Sequence, residues 1–329
     1  MNLVQKVKKY IQGLRLLSMG DRVIVGVSGG PDSVALIHFL YLLQHELALQ
    51  LHIAHFNHAL RKGSVVDEKF VKKLAHQLNL PFTTKCWDSS SLTKKGSFEE
   101  TARNKRLEFL ISLAKKKKAN VIALGHTKND LAETVLMRIL RGTGLKGLRG
   151  ILPKREFQNV RVIRPLLGIE KKELEQYLRK NRLSYRIDPS NRQLRFFRNK
   201  IRHRLLPYLE KEYNKNIQTI LSNFSMLTTI DYDFLERQAR SLFNNMAICS
   251  KNHSSIKFNI PLFNKQHPAL QHYLIRLAIE RLSGDTNRLT LCHSDEIEDL
   301  IRHRPARSLV HLPKRIHILK DTNKLQIYK

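Results

Sequence analysis

The residues Ser28-Gly29-Gly30-Pro31-Asp32-Ser33 place two glycines, two hydroxyls and a carboxylate between an apolar β-branched run and the start of a helical pattern. Glycines let the backbone come close to an oxyanion, and the amides at a helix N-terminus point at it. The hydroxyls of Ser28 and Ser33 add donors. The segment lacks the lysine of a Walker loop and the spacing of GxGxxG, which disfavours both a P-loop NTPase and a dinucleotide site. A strand-to-helix turn capped by Ser33 is the plainer reading. Asp32 decides against it, because a carboxylate inside a phosphate cradle calls for Mg²⁺ or a second substrate.

Other polar segments fall at similar places. His55-Phe56-Asn57-His58 ends a second apolar run; two histidines without further ligands do not make a zinc site. His55 is expected in an adenosine pocket, or as a hydrogen-bonded strand terminus. Glu99, Arg103 and Arg106 lie at helical neighbour spacings, which by themselves describe an exposed ion-pair ladder. In Gly125–Thr134, Asp130 and Glu133 stand three apart at a helix start. They could hold Mg²⁺ and an ammonium group, or cap the helix; the spacing leaves both open. Arg138 and Arg141 lead into a glycine-containing loop. Arg195, Arg198 and Arg202 follow the turn at 188–191 as a phosphate-binding stripe, with Phe196 and Phe197 anchoring the opposite side.

The elements that must carry these residues alternate. Strands are expected over 22–28, 50–56, 81–86 and 120–124, and helices over 33–43, 66–78, 97–114 and 131–140. Repeated βα units predict an α/β fold with a doubly wound, mainly parallel, Rossmann-like sheet, whose ligands bind beyond the strands' carboxyl ends. Val4, Val7, Ile11 and Leu14 mark an integral first helix rather than a cleaved presequence. Beyond about residue 210 the pattern turns helical over 216–243 and 269–282, then ends in short strands at 309–312, 316–319 and 325–328. Two domains are expected: 1–210, catalytic, with a basic extension from about 141, and 211–329, smaller and mainly helical.

The charge narrows the partners. Among 329 residues, 59 Lys and Arg oppose 28 Asp and Glu, a net +31, which points to a polyanion. Residues 141–210 carry 19 basic residues against 6 acidic, so the excess is concentrated there. No apolar stretch reaches the ~20 residues of a spanning helix, so no membrane role is expected. Three cysteines without a CxxC fit a reducing cytoplasm. An apolar helix stripe can face a core or a second copy equally well, which leaves a homodimer open.

In order, SGGPDS, HFNHALR, EETARNKR, GHTKNDLAET, LMRILRGTG, IRPLL, DPSN and RNKIRHRLLP resemble the bacterial tRNA(Ile)-lysidine synthases, closely over about residues 20–210. The resemblance implies an N-type ATP-pyrophosphatase fold and a ligase forming a C–N bond. ATP adenylates O2 of the wobble cytosine in a CAU-anticodon isoleucine tRNA. The ε-amine of free L-lysine then displaces AMP from C2, which changes codon reading from AUG to AUA. By the same resemblance Ser28, Gly29, Gly30, Pro31, Ser33 and His55 would bind ATP, with Asp32 beside Mg²⁺ or lysine. Asp130 would help hold the metal, and Arg103 and Glu133 would flank the cytosine and the amine. Arg138, Arg141, Arg195, Arg198 and Arg202 would contact tRNA, and Asn129 receives no metal role. The competing reading is a PP-loop tRNA 2-thiolation enzyme, which needs a persulfide cysteine or an iron–sulfur cluster. Here Cys86 stands alone in the nucleotide-binding half.

Overall fold

In the strand Arg22–Gly26 (β1), Val23 and Val25 enter one apolar cluster and Ile24 enters another on the opposite face. That is the period-two alternation of a sheet buried on both sides. The structure, a computed structural model, describes residues 2–57, 64–87, 98–187, 193–194, 196–250, 252, 254–286 and 288–329, with backbone alone at 98–99. The expected Arg195, His58 and the turn at 188–191 lie outside the described residues, as does the side chain of Glu99. Contacts divide the chain into two units, Met1–Leu227 and Thr228–Lys329.

In the first unit β1 is joined by β2 (Gln50–Asn57), β3 (Phe82–Cys86), β4 (Val121–Leu124), β5 (Lys154–Phe157) and β6 (Val160–Ile163), in the order β3-β2-β1-β4-β6-β5. All neighbours are parallel except the edge pair β5–β6. That hairpin was not expected from the sequence. Its two-residue turn places Gln158 and Asn159 at φ 49° and 65°, the left-handed pair that matches strand twist.

The helices are α1 (Leu3–Gly13), α2 (Pro31–Leu42), α3 (Ser64–Gln77), α4 (Phe98–Lys116), α5 (Lys128–Leu140), α6 (Leu145–Leu148), α7 (Lys171–Lys180), α8 (Phe197–Lys200), α9 (Leu206–Glu212) and α10 (Ile217–Met246). A π-helical turn, Ile201–Leu205, lies between α8 and α9. α2 is apolar on nearly all sides, from Val34 to Leu40, because the sheet, α1 and α7 enclose it. Phe39, fully buried and 4.6 Å from the Tyr177 ring, contributes about 2–3 kcal/mol by burial. α4 covers the other face through Phe109, Leu110 and Leu113. The strand order reverses between β1 and β4, so the crevice beyond their carboxyl ends is the natural ligand position.

The second unit holds an antiparallel sheet, β7 (Ile248–Cys249), β8 (Ser255–Asn259), β9 (Leu309–Leu312), β10 (Ile316–Lys320) and β11 (Lys324–Tyr328), in the order β7-β8-β11-β10-β9. Helices α11 (Ile260–Asn264), α12 (Pro268–Ser283) and α13 (Leu291–Arg302) accompany it. Leu274, Ala278 and Leu300 pack with Phe258, Ile318 and Ile327 in one core. Strand is more abundant here than the mainly helical expectation. β7 is only two residues long and β8 carries Ser255, Lys257 and Asn259, so neither stands out by pattern; β8 forms against β11, and β7 against β8.

Candidate active site

The loop after β1 builds its cradle from itself. Gly29 takes φ +91°, a left-handed conformation that glycine adopts without strain. The Ser33 hydroxyl donates to the Gly30 carbonyl at 2.9 Å and lies 3.2 Å from the Ser28 hydroxyl and from its backbone amide. Gly30 caps α2 without any side-chain hydrogen bond; the Ser33 and Val34 amides donate to the Gly30 carbonyl at 3.1 and 3.0 Å, which leaves the Asp32 amide of the first turn available. Arg186 donates its backbone N–H to the Gly29 carbonyl at 2.9 Å, which brings the 183–187 segment across the loop. Pro31 supplies the first helical position, where its missing N–H costs nothing.

β4 closes against this loop. A Cβ on Gly125 would sit 3.0 Å from the Asp32 carbonyl oxygen and 3.3 Å from the Ser33 Cα, so any larger residue would push the start of α2 back by a few tenths of an ångström. Asp32 Oδ1 is buried and has no hydrogen-bond partner. Burial pushes its carboxyl up to about 6; Asp130 and Glu175 add to the rise, and Lys171 and Arg202 oppose it. His55, 4% exposed, gives Nδ1 to the Val27 carbonyl at 2.8 Å and so pins the strand end beside the loop.

Asp130 and Glu133 do come together at the start of α5, but with arginines. Thr127 and Asp130 form a reciprocal capping box. Asp130 Oδ2 accepts from the Thr127 amide (2.8 Å) and hydroxyl (2.9 Å). Asp130 Oδ1 accepts from Arg198 at 3.0 Å and Arg202 at 3.1 Å. Glu133 is 2% exposed; it accepts from Arg198 Nε at 2.8 Å and from Arg202 at 2.5 and 2.9 Å. Burial would raise the Asp130 carboxyl, yet Arg198 and Arg202 hold it below its ordinary value. Of the two readings left open by spacing, the structure shows capping at Asp130, and the cations on the pair are Arg198 and Arg202 of the chain itself. Two members of the expected stripe, Arg198 and Arg202, spend their guanidiniums on these acids.

Around this network stands an arginine cluster that the ion-pair reading of α4 did not anticipate. Arg103 and Arg106 make no ion pair among the described residues. Burial, then Arg198 and Arg155, push Arg103 below the usual guanidinium range; burial, then Arg103 and Arg198, do the same to Arg106. Burial and neighbouring Arg103, Arg155 and Arg106 bring Arg164 down to about 10; its Nη1 holds the Leu152 carbonyl at 2.7 Å and its Nε is unpaired. His126 is pressed to about 3 by burial, with Arg164, Arg106 and Arg198 outweighing Asp130; its Nδ1 is buried without a partner. A neutral imidazole and mutually repelling guanidiniums describe a site arranged for anions. Arg164 could have been found as an arginine immediately after a β-branched run, at a strand's carboxyl end.

The remaining expected residues are placed apart. Arg138 donates to the carbonyls of Gly147 (2.5 Å) and Gly150 (2.9 Å), shaping the loop after α5. Arg141 lies over the Phe197 ring at 5.1 Å. Phe197 was expected as an anchor but is 37% exposed. Asn129 accepts from the Lys171 amide at 2.8 Å and donates to Gln218 at 2.6 Å. Among the described residues no group of three or more His, Cys, Asp and Glu could hold a metal ion, and no helix is long and apolar enough to cross a membrane.

Known proteins sharpen this arrangement. The PP-loop domain family matches residues 1–209. A tRNA(Ile)-lysidine synthase from Caldanaerobacter subterraneus subsp. tengcongensis is 36% identical over 330 residues, covering 99% of this chain and 69% of the relative. Its counterpart from Clostridioides difficile is 34% identical, covering 98% and 70%. In fold the chain is similar to the U34-tRNA thiolase NcsA from Methanococcus maripaludis, with a TM-score of 0.58 and 18% identity over 69% of this chain and 78% of that one. With that PP-loop in place and relatives of one activity matching nearly its whole length, the chain belongs to the tRNA(Ile)-lysidine synthase family.

Proposed function

We propose that the protein ligates L-lysine to C2 of the wobble cytosine of a CAU-anticodon isoleucine tRNA, with ATP as activating substrate. The observation that carries this reading is the uncapped N-terminus of α2 beside the unpartnered Asp32 carboxylate, with the half-buried Arg198 and Arg202 on Asp130 and Glu133. Cytosine O2 attacks the α-phosphorus of ATP, and the bond to pyrophosphate breaks. The leaving pyrophosphate carries several negative charges. Ser28, Ser33 and the amides of Gly29, Gly30 and Asp32 receive it. The neutral ε-amine of lysine then attacks C2, the C2–O bond breaks, AMP departs, and the amine proton passes to a base. His55 holds the strand end against which adenosine would rest.

Mg²⁺ fits at Asp32, a hard oxygen with a free lone pair beside the phosphate cradle, and would neutralise the polyphosphate there. Asp130 could join it only if Arg198 or Arg202 let go, since both its oxygens are already occupied. Arg103, at the rim of the arginine cluster, is assigned to the activated cytosine. Glu133 is assigned to the lysine amine, reached by exchange with an arginine. Free lysine, ATP and tRNA meet in the cytoplasm, the location we infer. Sulfur transfer is disfavoured because the chain has three cysteines and no CxxC. In the absence of lysine, pyrophosphate release should require the CAU-anticodon tRNA and stop near one equivalent per tRNA. Release that ignores tRNA would contradict the proposal.

A further inference from the structure

α8, the π turn and α9 present two adjoining faces. One sends Arg198 and Arg202 to Asp130 and Glu133. The other carries Phe197, Ile201, Leu205 and Tyr208, which with Leu140 line an open apolar depression. Phe197 is 37% and Tyr208 53% exposed. Lys200 and Arg204 are both exposed, line the same depression and make no ion pair among the described residues. Arg141 adds its guanidinium over the Phe197 ring.

Exposed aromatic rings ringed by uncompensated cations are the chemistry that takes unstacked bases and their phosphates. Rings accept base faces, and Lys and Arg follow the backbone. The proposed reaction adds a reason. A base adenylated at O2 has to leave its stack, which strips its neighbours of a stacking partner. We propose that Phe197 and Tyr208, with Lys200, Arg204 and Arg141, form a stacking platform for the single-stranded anticodon-loop nucleotides that flank the reacting cytosine. This rests on the proposed function. The same segment carries Phe197 and Tyr208 on one face and, on the other, the two arginines that hold Asp130 and Glu133.

The test is binding of an isolated anticodon stem–loop hairpin by the full chain, measured across a salt series, together with lysine transfer to whole tRNA. Phe197→Ala and Tyr208→Ala should each weaken hairpin binding about ten-fold, the scale of one lost base stack, without altering the salt slope. Phe197→Trp should keep the wild-type affinity, which a loss of folding in Phe197→Ala would not explain. Lys200→Gln with Arg204→Gln should instead flatten the slope by about 1.4, at ~0.7 per single-strand phosphate contact. Unchanged hairpin affinity in both alanine variants overturns the platform. If those variants also lower the sedimenting mass, the face is a self-association surface and the platform is equally overturned. Because lysine transfer by the wild type is scored separately, failure of the platform and failure of the proposed function are distinguishable.

Discussion

Asp32 concentrates the conflict between function and stability in one side chain. Its folded carboxyl titrates near 6 and its ordinary value is 3.8, so the folded state binds the proton more tightly. The penalty is absent below pH 3.8, grows between 3.8 and 6, and is complete above 6. Asp32→Asn should therefore stabilise the ligand-free protein by about 2–3 kcal/mol at pH 7.5, from ~1.4 kcal/mol per pKa unit. That gain should vanish towards pH 4 in denaturant titrations, while pyrophosphate release is lost; an unchanged midpoint at pH 7.5 would contradict the unpartnered-carboxylate account. Glu133→Gln removes the charge that two arginines grip. Lysine transfer from preformed adenylated tRNA should fall about 100-fold, the scale of a lost electrostatic contact. Full turnover at saturating lysine would remove Glu133 from the chemistry. The types and spacing of Ser28–Ser33, Asp130 and Glu133 were legible in the sequence. What Asp130 and Glu133 bind was not, because Arg198 and Arg202 are 65 to 72 residues away and helical spacing cannot tell an arginine that faces solvent from one that faces a buried carboxylate.

At the level of elements, the site depends on how closely the end of β4 approaches the start of α2. Gly125→Ala pushes a methyl into the Asp32 carbonyl and should raise the KM for ATP about ten-fold or more with the fold intact, since displacements near 1 Å cost up to ~100-fold. An unaltered KM would mean that the loop does not need this contact. At the opposite ends of the strands, Asp21 ties three elements together and touches no ligand. It accepts from the Ser18 amide (2.8 Å), Asn120 (2.6 Å) and Arg161 (2.7 Å) and is 4% exposed. Asp21→Ala should cost about 3 kcal/mol by leaving Arg161 uncompensated, with the KM for ATP unchanged; equal stability would show the clamp to be idle. The four central strands and their helices could be read from apolar runs separated by polar, glycine-bearing ends. The β5–β6 hairpin and the β7–β8 pair could not, because Lys154–Phe157 and Ser255–Asn259 carry charges or polar residues and become strands only through their partners.

For the whole molecule, a net charge of +31 exceeds what carboxylates on the chain can offset. tRNA affinity should therefore fall steeply with salt, by about one counterion for each phosphate neutralised. A flat response between low and high salt would contradict basic docking, and competition by bulk RNA at low salt should disappear as salt rises. The same excess appears inside the first unit, where burial and neighbouring guanidiniums lower the proton affinity of Arg103, Arg106 and Arg164. The most direct test of the account is transfer of labelled lysine to an unmodified CAU-anticodon isoleucine tRNA with ATP and Mg²⁺, beside an elongator methionine tRNA. The account predicts ATP-dependent lysine incorporation into the isoleucine tRNA alone. Pyrophosphate release without lysine incorporation, or equal incorporation into both tRNAs, would contradict it.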